Sequence, residues 1–146
     1  MGCQTDPTSA PSVQISDGAS LSAPLTLVAC PSSPNCVGSR ETGRSAVPMF
    51  EISGDLDSAQ EVLEKAVEED GGTIQLSVRG YVWATYTSRI FRFTDDVEFL
   101  AVTDAASTRP GTTSFHVRSA SRVGHSDLGV NRKRILRLGS DLNNQR

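Results

Sequence analysis

Residues Thr73–Ala101 read TIQLSVRGYVWATYTSRIFRFTDDVEFLA, and the way this stretch pairs with itself decides the fold. Ile74, Leu76 and Val78 alternate with Gln75, Ser77 and Arg79, the period-two pattern of a strand with one face buried. Gly80 interrupts the pattern, and YVWATYTSRIFRF follows as a long β-rich segment expected to bend or bulge near Ser88. Thr94-Asp95-Asp96 is expected to turn the chain. Val97, Phe99 and Ala101 then alternate with Asp96, Glu98 and Leu100.

On the N-terminal side of this stretch, SGDLDSAQEVLEKAVEEDGG places Leu56, Ala59, Val62, Leu63, Ala66 and Val67 on one helical face. Ser53, Asp55 or Asp57 can cap that helix and Gly71-Gly72 can end it, while Pro48–Ile52 is a short apolar piece and a candidate strand. On the C-terminal side, the polar loop TDAASTRPGTT leads to a strand at Ser114–Ser119. The run Arg118–Arg134, RSASRVGHSDLGVNRKR, then reads as a strand end, a break at Gly124 and a helix capped by Ser126 or Asp127. Leu128, Asn131, Ile135 and Leu138 fall at helical spacing, so Asn131 sits on an otherwise apolar stripe and must find partners, either a loop backbone or a ligand. Short connections between strands favour an antiparallel meander. The expected fold is a two-layer α+β domain, about four strands in a mainly antiparallel sheet covered by two helices.

At 146 residues the chain holds one such domain. Residues 1–29, rich in Ser, Ala, Pro and Thr, read as a flexible tether; 30–141 form the domain and 142–146 a tail. A net charge of −3 and a pI near 5.3 argue against a general nucleic-acid binder, because no global positive field exists to displace counterions from phosphates. The charge is uneven: eight acids stand against one Lys between Glu51 and Asp70, and six bases against Asp127 alone between Arg118 and Arg137. Solvated helix faces that complement helix dipoles account for this distribution.

Of three cysteines, Cys30 and Cys36 are separated by PSSPN, a turn-forming spacer that can bring two Cβ atoms within bridging distance. A disulfide there implies an oxidising compartment. Cys3, in Met1-Gly2-Cys3 ahead of the Ser/Pro-rich segment, fits the acylated end of a lipoprotein. No signal-peptide h-region or membrane-spanning run is present in these residues. The expected location is therefore the cell envelope, reached through a lipid anchor alone; a cytoplasmic protein with unmodified Cys3 is the alternative. Two His and two remaining Cys, scattered along the chain, form no compact zinc-ligand set, and neither a metal nor a cofactor is expected.

If Ile74, Leu76, Val78, Val97, Phe99, Phe115 and Val117 face the helices, then Gln75, Ser77, Arg79, Asp96, Glu98, His116 and Arg118 share the opposite face. Three uses of that face compete. As an enzyme, Asp95, Asp96 and Glu98 would supply acid–base chemistry with His125 as proton carrier, although no nucleophile elbow or phosphate loop accompanies them. As a binding module, Arg89, Arg92, Arg118, Arg122 and Arg132 would grip carboxylate or phosphate on an anionic small molecule or envelope component. Backbone N–H groups near Ser126–Gly129 would help. As a structural protein, the arginines would hold its own carboxylates. Binding is preferred, with a site drawn from Arg89, Arg92, Asp96, Glu98, Arg118, Ser119, Ser121, Arg122, Ser126, Asp127, Asn131 and Arg132.

RSASRVGHSDLGVNRKRI, with TSRIFRFTDDVEF and CPSSPNCV upstream, resembles the bacterial and plastid family catalogued as domain of unknown function 1499. Three motifs in the same order carry the resemblance, from about Cys30 to Leu138. His125 departs from it, standing where an aromatic such as Tyr is expected. The resemblance implies no established activity.

Overall fold

The computed structural model describes Ser12 and residues 22–24, 26–104 and 109–144. Among them, six strands form one sheet: β1 (Cys36–Gly38), β2 (Phe50–Ser53), β3 (Thr73–Val78), β4 (Tyr81–Thr87), β5 (Thr94–Ala101) and β6 (Thr112–Ser121). The helices are α1 (Leu56–Glu69) and α2 (Val130–Asn144). β3, β4, β5 and β6 pair antiparallel in chain order as the expected meander. β1, and β2 at the candidate strand Pro48–Ile52, take the sheet beyond the expected four strands, and both pair antiparallel with β6 on its other side. The α+β class and the two covering helices are as the sequence indicates.

α1 starts where Asp55 accepts a hydrogen bond from the Ser58 backbone N–H at 2.9 Å, which also holds its carboxyl below the usual range. It buries Ala59, Leu63, Ala66 and Val67 against Val82, Ala84, Val97, Phe99, Phe115 and Val117 of the sheet, together with Ile135, Leu138 and Leu142 of α2. At its C-terminal end Gly72 is required by close approach. A Cβ there would lie 2.7 Å from Val67 Cγ1 and 2.8 Å from the Tyr86 ring. Gln60, buried on α1, clamps the β3–β4 turn. Its Nε2 donates to Val78 O at 2.9 Å and its Oε1 accepts from Gly80 N at 2.8 Å, while Gly80 takes the positive φ of 87° the turn needs.

Three local expectations are corrected. A register shift between Ile74 and Leu76 inserts Gln75 as a bulge, so Ile74 packs towards the helices but Leu76 and Val78 turn to the opposite face. Ser77 then points to α1, where its hydroxyl donates to Glu64, and Arg79 reaches Asp57 at 3.0 Å rather than joining Asp96 and Glu98. The turn between β4 and β5 lies at Ser88–Phe93, not Thr94–Asp96, because both aspartates are strand residues with an arginine on either side of the sheet. Leu128 lies before α2, with φ 54° and 87% exposed. The helical stripe therefore begins with Asn131.

The face away from the helices is covered. Leu27, Tyr81 and Leu100 are buried there, with Ala23, Leu76, Val78 and Trp83 packed against them. Part of the segment expected as a tether thus lies on the sheet, and Ser12 N–H donates to Glu98 Oε1 at 2.5 Å. Cys3 lies outside the described residues. Cys30 and Cys36 form a disulfide, Cα–Cα 5.7 Å, which joins this segment to β1. Among the described residues no helix is long and apolar enough to cross a membrane.

Candidate functional site

Adjacent Asp95 and Asp96 project to opposite faces of β5, and each organises a polar network. On the face away from the helices, Glu98 stands opposite Arg118 in the β5–β6 register, and Asp96 lies between Trp83 and Arg122. Asp96 and Glu98 are 0% exposed and Arg118 is 1% exposed. Arg118 Nη1 reaches Glu98 Oε2 at 3.4 Å, while Tyr81 Oη donates to Glu98 Oε1 at 2.6 Å. Arg122 grips Asp96 with both prongs, Nε–Oδ2 2.8 Å and Nη2–Oδ1 2.9 Å, and Trp83 Nε1 adds a bond to Asp96 Oδ1 at 2.9 Å. Burial, then the Glu98 charge, push the Tyr81 hydroxyl far above its ordinary range, so Tyr81 stays protonated and serves as a donor. The same contact with Asp96 raises the Arg122 pKa further.

Beneath the sheet, Asn131 is fully buried at the start of α2 and acts as a hub. Its Oδ1 accepts from Ser119 Oγ at 2.6 Å and Arg134 Nη1 at 2.7 Å. Its Nδ2 donates to Ser121 Oγ at 2.9 Å, Asp127 Oδ2 at 2.7 Å and the Asn35 carbonyl at 3.2 Å. Asn131 thus braces the loop before β1, the loop-backbone role open from sequence. Arg134 continues the chain to Asp95 at 2.7 Å and lies 4.5 Å over the Tyr86 ring. Asp127 caps α2, accepting from Gly129 N at 2.8 Å and Asn131 N at 3.1 Å. Its carboxylate therefore occupies the backbone donors expected to be open at that helix start.

The twelve residues singled out from sequence consequently divide among four places. Asp96, Glu98, Arg118 and Arg122 meet on the outer face, and Ser119, Ser121 and Asn131 meet beneath it with Asp127. Ser126, Asp127 and Arg132 line a cleft of about 440 Å³ together with residues of the Ser32–Val37 segment and with Arg44 and Ser45. Arg89 and Arg92 are exposed on the β4–β5 turn, apart from these groups. His125 is exposed, and Asp95 is engaged with Arg134 rather than facing Asp96. Sequence reasoning missed Arg134, Tyr81, Trp83 and Arg44. Arg134 was findable, three residues beyond Asn131 on the same helical face, and Tyr81 and Trp83 alternate along β4 in step with Glu98 and Asp96. Nothing local to Arg44 signals its place.

A family model described as protein of unknown function (DUF1499) matches residues 26–142. The chain belongs to that family. The match runs from the segment over the outer face through both networks to the last turn of α2, so the DUF1499 domain and this fold coincide over nearly all described residues. No curated protein matches the sequence.

Proposed function

We propose that this DUF1499 domain is an envelope-associated binding module, carried at a membrane by lipid on Cys3, that takes a small anionic ligand in the cleft beside the start of α2. The observation that carries the ligand reading is the pair Arg44 and Arg132 lining that cleft, with Ser32, Ser33, Ser45 and Ser126 around them. Among the described residues neither guanidinium has a carboxylate partner, whereas Arg118, Arg122 and Arg134 are held by Glu98, Asp96 and Asp95. Arg132 Nη2 donates to the Arg44 carbonyl, which anchors one side of the cleft. Asp127 contributes a carboxylate to the same lining, but both its oxygens accept hydrogen bonds from the helix start. Two guanidinium groups among hydroxyls suit a phosphate or carboxylate. The Cys30–Cys36 bridge favours an oxidising compartment and hence the envelope.

Acid–base catalysis fits less well. Its candidate groups Asp96 and Glu98 are sealed from solvent and engaged by arginines, and His125 stands apart on the surface. A purely structural role has an observation in its favour too: all three network arginines, Arg118, Arg122 and Arg134, bind the protein's own carboxylates.

Thermal unfolding with inorganic phosphate and short dicarboxylates separates these readings. A ligand at one hundred times its Kd stabilises by about 2.7 kcal/mol. That stabilisation should disappear in Arg44→Gln and Arg132→Gln with the fold intact. No stabilisation by any anion in the panel rejects the ligand reading, and product formation from a hydrolase panel would favour the enzyme. Intact mass of protein from native membranes tests the anchor: unmodified Cys3 in a cytosolic fraction rejects it.

A further inference from the structure

The β4–β5 turn carries a surface that neither network nor the cleft uses. Ile90 is 85% exposed, Phe91 71% and Phe93 52%, three large apolar side chains within four residues. They do not sit on a slack loop. Ser88 N–H donates to Phe93 O at 2.9 Å, Arg92 N–H to Ser88 O at 3.1 Å, and Phe93 N–H to Ser88 Oγ at 3.1 Å, which closes the turn on itself. The Phe91 and Phe93 rings stack at 5.7 Å between centroids, so they form one apolar ridge. Val123, also exposed, follows Arg122, whose N–H donates to Thr94 O at 3.1 Å at the end of the turn.

Charge identifies what such a ridge meets. Arg89 and Arg92 are exposed within the same six residues, Ser88–Phe93, which contain no acid. Among the described residues neither has a carboxylate partner. Asp95 and Asp96, the acids nearest in sequence, are buried and held by Arg134 and Arg122. The tip is thus cationic although the chain as a whole is acidic. The ridge is confined to one six-residue turn, whereas a stable protein interface buries about 1,000 Å² or more. Aromatic and aliphatic side chains flanked by arginines instead match the boundary of an anionic bilayer, where rings sit at headgroup depth and guanidinium groups meet lipid phosphates.

We infer that the Ser88–Phe93 turn is a membrane-contacting tip that docks onto an anionic bilayer surface, with Ile90, Phe91 and Phe93 entering the interface and Arg89 and Arg92 binding headgroups. The tip requires neither the acyl group on Cys3 nor the cleft at Arg44 and Arg132.

Flotation of the full chain, prepared without lipid on Cys3, tests it with phosphatidylcholine vesicles that contain or lack phosphatidylglycerol. The protein should float with the anionic vesicles only, and less so as salt is raised. Arg89→Gln and Arg92→Gln should each weaken partition about five-fold. Ile90→Ser with Phe91→Ser should abolish it at unchanged charge, while circular dichroism and thermal unfolding match the unsubstituted chain. No flotation, equal flotation with neutral vesicles, or flotation indifferent to both sets of substitutions overturns the inference. So does displacement by inorganic phosphate, which would mark a site for free anion, or a dimer in sedimentation that only the apolar variant dissolves, which would make the occupant a second copy.

Discussion

Glu98 on β5 and Arg118 on β6 face each other across the antiparallel register, 3.4 Å from Nη1 to Oε2, and both side chains are sealed beneath the segment that crosses the sheet. Two charges withdrawn from water depend on each other, because the loss of either leaves the other buried without the opposite charge facing it. Tyr81 Oη and Ser12 N–H both donate to Glu98 Oε1, so the carboxylate also ties the covering segment to the sheet. Arg118→Met should therefore cost about 3–5 kcal/mol, and Glu98→Leu combined with Arg118→Met should regain much of it. A urea-unfolding double-mutant cycle measures the coupling; simple additivity of the two single losses would refute the mutual dependence.

Asn131→Ala should destabilise by about 3 kcal/mol or more, since an unsatisfied buried group costs about 1–3 kcal/mol and Asn131 serves several. Hydrogen exchange should rise first at the Asn35 loop and the start of α2. A loss below ~1 kcal/mol, with unchanged exchange there, would remove Asn131 from the centre of the network.

His116 links stability to pH. Burial, then the nearby Arg40 charge, lower its pKa from 6.5, and its Nδ1 lies 3.1 Å from Ser39 Oγ. The unfolded chain therefore takes up the proton at higher pH than the folded one. The contribution of neutral His116 is complete above 6.5 and is lost as pH falls below it, through the lower folded value. Chemical unfolding measured from neutral pH down to ~5 should show that decline, and His116→Gln should flatten it. An equal slope in the variant would assign the effect to other groups.

Reduction of the Cys30–Cys36 bridge, which spans a sequence separation of 6, should cost no more than about 2–3 kcal/mol. Faster exchange should concentrate in the segment around Leu27 and in β1, with α1 and β3–β6 protected as before. Global unfolding on reduction would show instead that the bridge holds the whole domain.

The sequence alone determined what depends on neighbours along the chain. The period of Leu56–Val67 and its Asp55 cap specify α1. The alternation Val97-Glu98-Phe99 against Phe115-His116-Val117 specifies paired strands whose parity brings Glu98 to Arg118. The Pro- and Asn-containing spacer between Cys30 and Cys36 permits the bridge found there. The tertiary structure decided what depends on distant chain. One bulged residue, Gln75, reversed the faces of Leu76 and Val78, because strand parity beyond a bulge is set by the partner strand rather than by the pattern. The segment carrying Leu27 converted an expected open polar face into a buried one. Arg44 and Arg132, 88 residues apart, came to line one cleft, a placement that no local period encodes. Asp95 and Asp96 are alike in sequence and received Arg134 from beneath the sheet and Arg122 from above it only once both faces had been built, since a buried carboxylate is tolerable only where folding delivers its counter-charge.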